Sequence, residues 1–514
     1  MQERLLKATT LGKATILVSV TAFISYVIGL LRDRIIAINF GTTAITDTYN
    51  ASFLIPDILF NLFIAGALSA SFLPVFSDYL NRDKNEASKI ANTMLTTTTI
   101  AIAFLAAVAH IFMPQIIPLI FKEATAAMQT DIIGMTRLML LSAIFFAISN
   151  TLGNILMGYK HFFSYAVAPI LYNIGIIFGI IFLKDKIGIY SAATGVVVGA
   201  ALHAIIRIMD TLKTGYKYRP ELAIKHPGFR QIIKLMVPRS ISLIVWHLNM
   251  LIFAKVGIDI LKGGFSAFNY ARNIQSFAVS LFGIAFATAV FPYLADTVTA
   301  NDEKKYTGHI QKTIERILFF TIPSAAALMF LTKPVVEILL GGGAFDEKSV
   351  RLTSALLFFF AISIPFESLV QILSRAFYAR KNTVTPMIIN IISAAIIASI
   401  TYFIAPKFGI EWFSIGFTVG FIFYVIVALL CLKKHLKQFN FRQFLVSISK
   451  TIVASGLMVA IILITQPLEN ILPIKLAHII RIIIGGAGFF LAAYLIKSPE
   501  LKSIFRKPLK NLRP

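Results

Sequence analysis

Long apolar runs return along the whole 514-residue chain between short polar breaks. Most reach the ~20 residues that carry an α-helix across a bilayer. Breaking the sequence at the polar clusters predicts fourteen helices, at residues 14–38, 47–79, 90–120, 132–158, 163–183, 187–210, 232–260, 264–294, 308–340, 349–378, 384–405, 410–432, 443–466 and 475–497. The runs at 90–120, 308–340 and 349–378 exceed what a bilayer requires, which predicts tilt or extension beyond it. The apolar runs are continuous rather than alternating, and this excludes a spanning β-barrel. The first run, Ala14 to Leu31, carries no small-residue cleavage site and reads as a retained helix rather than a signal peptide. The expected fold class is an all-α polytopic membrane protein.

The chain also repeats itself weakly. Phe145-Phe-Ala-Ile-Ser149 recurs as Phe359-Phe-Ala-Ile-Ser363, and Pro169-x-x-x-Asn173 recurs as Pro386-x-x-x-Asn390. Ser71-Phe-Leu-Pro74, running on to Asp78, is similar to Val290-Phe-Pro292, running on to Asp296. The three offsets nearly coincide and six predicted helices separate the copies, so the repeat is parallel, with its pseudo-twofold axis along the membrane normal. The expected organisation is a six-helix half at 1–215, a second at 216–436, and two extra helices with a basic tail at 437–514. Two like-oriented halves suit alternating access around a site at their interface.

Composition sharpens this picture. Charged residues make up 14% of the chain and hydrophobic residues 57%, whereas soluble proteins carry roughly 25% charged residues. The mean hydropathy is +0.80. No soluble domain of ordinary size fits inside such a sequence. The net charge of +24 sits in short loops, which points to positive-inside topology rather than to nucleic acid. With the N-terminus inside, about 30 Lys and Arg fall in cytoplasmic segments and about 9 in outer loops. An even helix count then places both termini in the cytoplasm. A single cysteine, Cys431, cannot form an internal disulfide, and no Cys/His cluster suggests a metal. No G-x-x-x-x-G-K-[ST] loop is present for ATP phosphates. No cofactor is expected, nor an enzyme, because no long outer loop could carry an acid–base pair. Transport driven by a gradient, a potential or a coupled ion is what remains.

Ionisable residues inside membrane helices cost about 2.5–3.5 kcal/mol each, so they usually face a cavity or a partner. The clearest cluster is Arg32-Asp33-Arg34 near the end of the first predicted helix, followed by Asp47 and Asp57. Arg137, Arg239, His247, Arg272, Glu367, Arg375 and Arg481 are the others. Arg34, Arg137 and Arg375 lie near helix ends, where snorkelling to the interface is the simpler reading. Arg32 and Arg272 come one from each half. Arginine suits phosphate because its planar fork offers paired donors and keeps its charge when desolvated. The candidate site is thus a cationic pocket of Arg32 and Arg272, with Asp33 holding Arg32 when no ligand is present, for an anionic, phosphate-bearing substrate, against the alternative of a structural ion pair.

The stretch from Ser25 to Tyr79 contains Gly29, Arg32-Asp33, Phe40-Gly41, Asp47, Pro56, Gly66-Ala67, Ser69, Phe72 and Pro74-Val-Phe76. It resembles the N-terminal signature of the MurJ (MviN) lipid II flippases, within the multidrug/oligosaccharidyl-lipid/polysaccharide exporter superfamily. Phe282-Gly283 leading to Phe291-Pro292, Gly343-Ala-Phe345, Arg375-Ala-Phe-Tyr-Ala379, Asn382-Thr383 and Thr385-Pro386 agree with the same family in order. The resemblance implies a fourteen-helix flippase of a bacterial inner membrane that moves undecaprenyl-pyrophosphate-linked peptidoglycan precursor to the outer leaflet. It implies that Arg32 and Asp47 are positions the family depends on; membrane lipids are expected around the chain, and cell-wall synthesis proteins are possible partners. Positions that are usually cationic in the family hold Tyr26, Phe60 and Asn61 here, and the usual acid before Gly66 is Ala65. In the eighth helix Asn273 stands where the family has arginine, with Arg272 displaced by one. A flippase for another polyprenyl-linked glycan, a drug exporter and a non-transporting cell-wall scaffold are the rival readings.

Overall fold

The computed structural model describes residues 11–61 and 67–501. Among them every regular element is helical, apart from one isolated bridge between Gly342 and Phe345. The chain forms two compact units. One contains the residues up to Ser266 together with Gly342–Phe345, and the other contains Ala267–Gly341 and the chain from Asp346 onward.

The first unit holds α1 (Leu11–Phe40), α2 (Ala44–Ser52), α3 (Leu54–Phe60), α4 (Ala67–Arg82), α5 (Lys84–Ile120), α6 (Ala126–Gly158), α7 (Phe163–Ile187), α8 (Tyr190–Leu212) and α9 (Pro227–Ile260). The boundary between units falls within α10 (Gly264–Ala278), which runs through a π-helical segment, Val279–Ile284, into α11 (Ala285–Thr299). The second unit continues with α12 (Glu303–Phe330), α13 (Thr332–Leu339), α14 (Glu347–Ala379) and α15 (Val384–Ser399). It ends with α16 (Ala405–Phe408), α17 (Glu411–Leu432), α18 (Phe441–Ile464) and α19 (Ile474–Leu495).

The all-α membrane fold agrees with the sequence, but the spans do not match one for one. Eleven helices among the described residues are long and apolar enough to cross a membrane. Within the single span expected at 47–79 the described residues form α2, α3 and α4, with 62–66 outside them. Pro56 has no N–H for the Ser52 carbonyl, so the helix breaks at Phe53. Thr136 of α6 donates to that carbonyl at 3.3 Å, the kind of substitute partner that lets a membrane helix carry a break. The run expected at 308–340 also divides, at Leu331 between α12 and α13. Pro334 cannot bond the Phe330 carbonyl, which ends α12 in the same way.

Packing within the first unit relies on small residues. Gly175 and Gly179 on α7 face Gly195 and Gly199 on α8, so two small-xxx-small stripes meet. A Cβ added at Gly175 would lie 2.3 Å from the Gly199 Cα, and one at Gly179 would lie 2.7 Å from the Gly195 Cα. Such stripes let membrane helices approach closely where lipid supplies no hydrophobic driving force. Phe72, Phe76, Ile90, Met94, Ala147 and Leu152 fill the core between α4, α5 and α6. In the second unit Tyr306, Ile310, Ile317, Ile372, Phe377 and Tyr424 do the same for α12, α14 and α17.

Helix ends in the two units use similar local geometry. Asp83 caps α5 by accepting from Asn85 and Glu86 N–H, and Asp302 caps α12 by accepting from Lys305 N–H. After α6, Lys160 takes φ 61° while His161 N–H reaches back to the Leu156 carbonyl at 2.8 Å. After α14, Lys381 takes φ 58° and Asn382 N–H reaches the Phe377 carbonyl at 3.0 Å. The same helix-ending turn recurs at Asn301 and Lys497, where Asp302 N–H reaches the Thr297 carbonyl and Ser498 N–H the Ala493 carbonyl, each at 2.9 Å.

Candidate functional site

The arginine predicted in the first unit is held from two sides. Arg32 Nε and Nη2 donate to Asp33 Oδ1 at 3.0 and 2.7 Å, and Nη1 donates to Asn173 Oδ1 at 2.9 Å. Asn173 is oriented in turn by its own Nδ2, which donates to the Pro169 carbonyl at 3.1 Å. The Pro169-x-x-x-Asn173 repeat element thus has a local role, in which a side-chain amide bonded one turn back on α7 aims its oxygen at α1. Three of the five guanidinium donors are engaged among the described residues. The side chain retains 24% of its exposure, so the remaining donors can meet a ligand. Nothing in the sequence pattern singled out Asn173 as Arg32's partner.

Asp47 belongs to a different arrangement in the same unit. It is 1% exposed, and its Oδ2 accepts Gly263 N–H at 2.6 Å. Its Oδ1 accepts Ser266 N–H at 2.8 Å and the Ser266 hydroxyl at 2.6 Å. Asp47 therefore serves as an N-terminal cap for α10, supplied from α2. A carboxylate on these amides satisfies orphan donors and faces the positive end of the helix. Gly263 permits the approach. It has φ +85°, and a Cβ there would fall 2.0 Å from the Thr42 carbonyl oxygen.

Arg272 lies in the second unit, in a fork on Glu367 of α14. Nη2 donates to Oε1 at 2.7 Å and Nη1 to Oε2 at 3.0 Å. Gln275, one turn along α10, accepts from Arg272 Nη1 and donates to Glu367 Oε2 at 2.9 Å and to Ser363 Oγ at 3.2 Å. The guanidinium carbon stands 5.1 Å from the Phe417 ring centroid. The side chains of Arg272 and Glu367 are 16% and 11% exposed, so the pair is largely withdrawn from solvent. Both members appeared in the sequence as isolated membrane ionisables; Gln275 did not appear at all. The residue that Gln275 anchors to, Ser363, closes the second copy of the Phe-Phe-Ala-Ile-Ser repeat. The first copy's Ser149 pairs with His203 Nδ1 at 2.7 Å in its own unit.

Two of the other intramembrane ionisables bond locally, while the side chain of Arg239 lies outside the described residues. Arg137 donates to the His110 carbonyl at 2.9 Å. Arg481 is bonded to Glu469 and to the Ile462 carbonyl. The places where cations are absent are used for packing: the Phe60 ring lies 5.1 Å from that of Phe146. Asn61 bonds its own helix, donating to the Asp57 carbonyl at 2.9 Å. Ala65 and Gly66 lie outside the described residues.

The chain is similar to known proteins. The family model described as lipid II flippase MurJ matches residues 36–478. The curated lipid II flippase MurJ of Burkholderia cenocepacia is 27% identical over 419 residues, covering 80% of this chain and 81% of that protein. The lipid II flippase MurJ of Thermosipho africanus is 29% identical over 499 residues, covering 96% of this chain and 97% of that protein. A solved lipid II flippase MurJ in an inward closed conformation superposes with a TM-score of 0.81, 26% identity and coverage of 96% and 100%. An inward-facing multidrug transporter of the MATE family shares the fold, at TM-score 0.68 and 15% identity over 83% of this chain and 98% of that one.

Proposed function

Because this chain belongs to the lipid II flippase MurJ family, we infer that it carries lipid-linked peptidoglycan precursor from the inner to the outer leaflet of a bacterial cytoplasmic membrane by alternating access. The observation that carries the reading furthest is Arg32, a partly exposed guanidinium within a membrane helix whose orientation is fixed by Asp33 and Asn173. A pyrophosphate meets donors already aligned, and Asp33 keeps the arginine's charge compensated when no cargo is present. Arg272 is the corresponding cation of the second unit, and its exchange between Glu367 and phosphate oxygens would give that unit a ligand-dependent ion pair. Asp47 acts by holding the start of α10, the helix that bears Arg272 two turns later.

The organisation that suits this role is two six-helix halves, 1–215 and 216–436, with 437–514 as an added helical pair and both termini cytoplasmic. The membrane potential helps the step, since each charge crossing 100 mV is worth about 2.3 kcal/mol and an anionic headgroup leaves a negative interior. A drug exporter needs an intramembrane carboxylate open to a cationic cargo. Here Asp47 is occupied by Gly263 and Ser266 and Glu367 by Arg272 and Gln275, which leaves Asp57 as the carboxylate a cationic cargo would have to use.

The test is reconstitution. Purified protein in vesicles containing lipid II labelled on its headgroup should raise the fraction accessible to an impermeant quencher, and Arg32→Ala should lower that rate at least tenfold. Equal rates with and without protein would refute the assignment.

A further inference from the structure

We propose that Arg375 is a specificity-determining contact of the second unit, taking the phosphate oxygens of the cargo's headgroup at the cytoplasmic end of α14. This rests on the flippase reading above and adds a residue to its binding surface.

Arg375 differs from the other arginines around it in what holds it. Arg272, Arg380 and Arg481 are each bonded to a glutamate. Arg375 forms no ion pair among the described residues. Its Nη2 donates to Thr288 Oγ1 at 2.9 Å, and its Nη1 donates to the Gln371 carbonyl at 3.1 Å. Gln371 Oε1 also accepts from Nη1, at 3.4 Å, and all three acceptors are neutral. They orient the guanidinium without cancelling its charge, which leaves a placed cation with donors to spare.

The arrangement around it is built rather than incidental. Thr288 Oγ1 donates to the Ile284 carbonyl at 2.7 Å, so its proton is engaged and its lone pairs face Arg375. Ile284 ends the π-helical segment Val279–Ile284, and such segments recur at functional sites because they rotate the helix that follows. Within that segment Gly283 lies against α14, where an added Cβ would come 2.8 Å from the Ser368 Cα. The bulge and the glycine together bring α11 close enough to α14 for Thr288 to reach Arg375.

Depth agrees with the assignment. Arg375 stands four residues before α14 ends at Ala379, about 6 Å at 1.5 Å per residue. In the N-inside topology this is the cytoplasmic end, at the level where phosphates of an inner-leaflet lipid lie. Arginine's fork is suited to a pyrophosphate in a way that lysine's point charge is not.

The experiment measures binding of undecaprenyl pyrophosphate to the purified full chain in phosphatidylcholine vesicles, with phosphatidylglycerol as a second ligand. Wild type, Arg375→Ala, Arg375→Lys and Thr288→Val are compared, and melting midpoints in one detergent verify folding. Arg375→Ala should weaken pyrophosphate-lipid binding about tenfold or more, as loss of a charge-assisted bidentate contact does. Arg375→Lys and Thr288→Val should fall between, all four with similar midpoints. Phosphatidylglycerol binding should change little. Unchanged affinity in Arg375→Ala, with wild type binding well, would overturn this proposal alone. An equal loss for phosphatidylglycerol would make Arg375 a contact for bulk lipid and overturn it too. Failure of wild type itself to bind would instead sink the flippase reading, and this residue's role with it.

Discussion

Separating Arg272 from Glu367 should cost more than any single surface ion pair in the molecule. The pair is joined by two direct bonds, at 2.7 and 3.0 Å, and Gln275 adds a third to the same carboxylate at 2.9 Å. With side chains only 16% and 11% exposed, solvent screening is weak, and removing one partner leaves an uncompensated charge. Breaking such a pair costs about 3–5 kcal/mol, and Glu367→Gln should lie near the lower end because its amide still offers one acceptor. Arg272→Met with Glu367→Met should recover most of the loss, since replacing a buried pair by apolar side chains of similar volume is often neutral or better. The assay is a double-mutant cycle on denaturant midpoints in a fixed detergent, which isolates the coupling between neighbours. A single-mutant loss below about 1 kcal/mol, or a double mutant as unstable as the sum of the singles, would refute the buried-pair reasoning.

Three further outcomes follow from the geometry. Gly175→Leu should force α7 from α8, since even a Cβ there would lie 2.3 Å from the Gly199 Cα; a large fall in melting midpoint and in yield checks it, and a wild-type midpoint would contradict the packing. Asp47→Asn should lower stability by about 1–2 kcal/mol, the scale of a lost helix cap, because its amide would confront the N–H groups of Gly263 or Ser266; increased hydrogen exchange at the start of α10 is the direct readout. Asp346 caps α14, and the backbone N–H of Ser349 holds its carboxyl below the usual carboxylate range. Its contribution is therefore complete above the ordinary aspartate value and is lost as pH falls through the lowered one, so Asp346→Asn should flatten the acid limb of a stability–pH profile.

The elements that followed most directly from sequence are those governed by length and hydropathy. α5 to α8 and α17 to α19 correspond to runs that only a bilayer explains. Within the span expected at 47–79, hydropathy does not register what Pro56 does to the Ser52 carbonyl, nor that Thr136, 84 residues away, repairs it. The candidate residues show the same division. Arg32 and Asp33 are adjacent in sequence, and their pairing was legible. Asp47 carried the signal of a membrane carboxylate, yet its partners are the backbone amides of Gly263 and Ser266 and the Ser266 hydroxyl, which no residue pattern announces. Arg272 and Glu367 were visible separately, 95 residues apart. Only the packing of α10 on α14 makes them one group and adds Gln275. Asn173 was seen as half of a repeat, and its direction toward Arg32 required the helices themselves.

Lipid II transport through Arg32 is tested most directly in cells depleted of their own lipid II flippase and supplied with this protein, its membrane insertion confirmed. An impermeant probe then scores lipid II in the outer leaflet, beside an Arg32→Ala variant inserted to the same level. The protein should restore exposure and the variant should not. Exposure restored equally by both would contradict the role of Arg32, and no exposure from the properly inserted protein would contradict lipid II as its cargo.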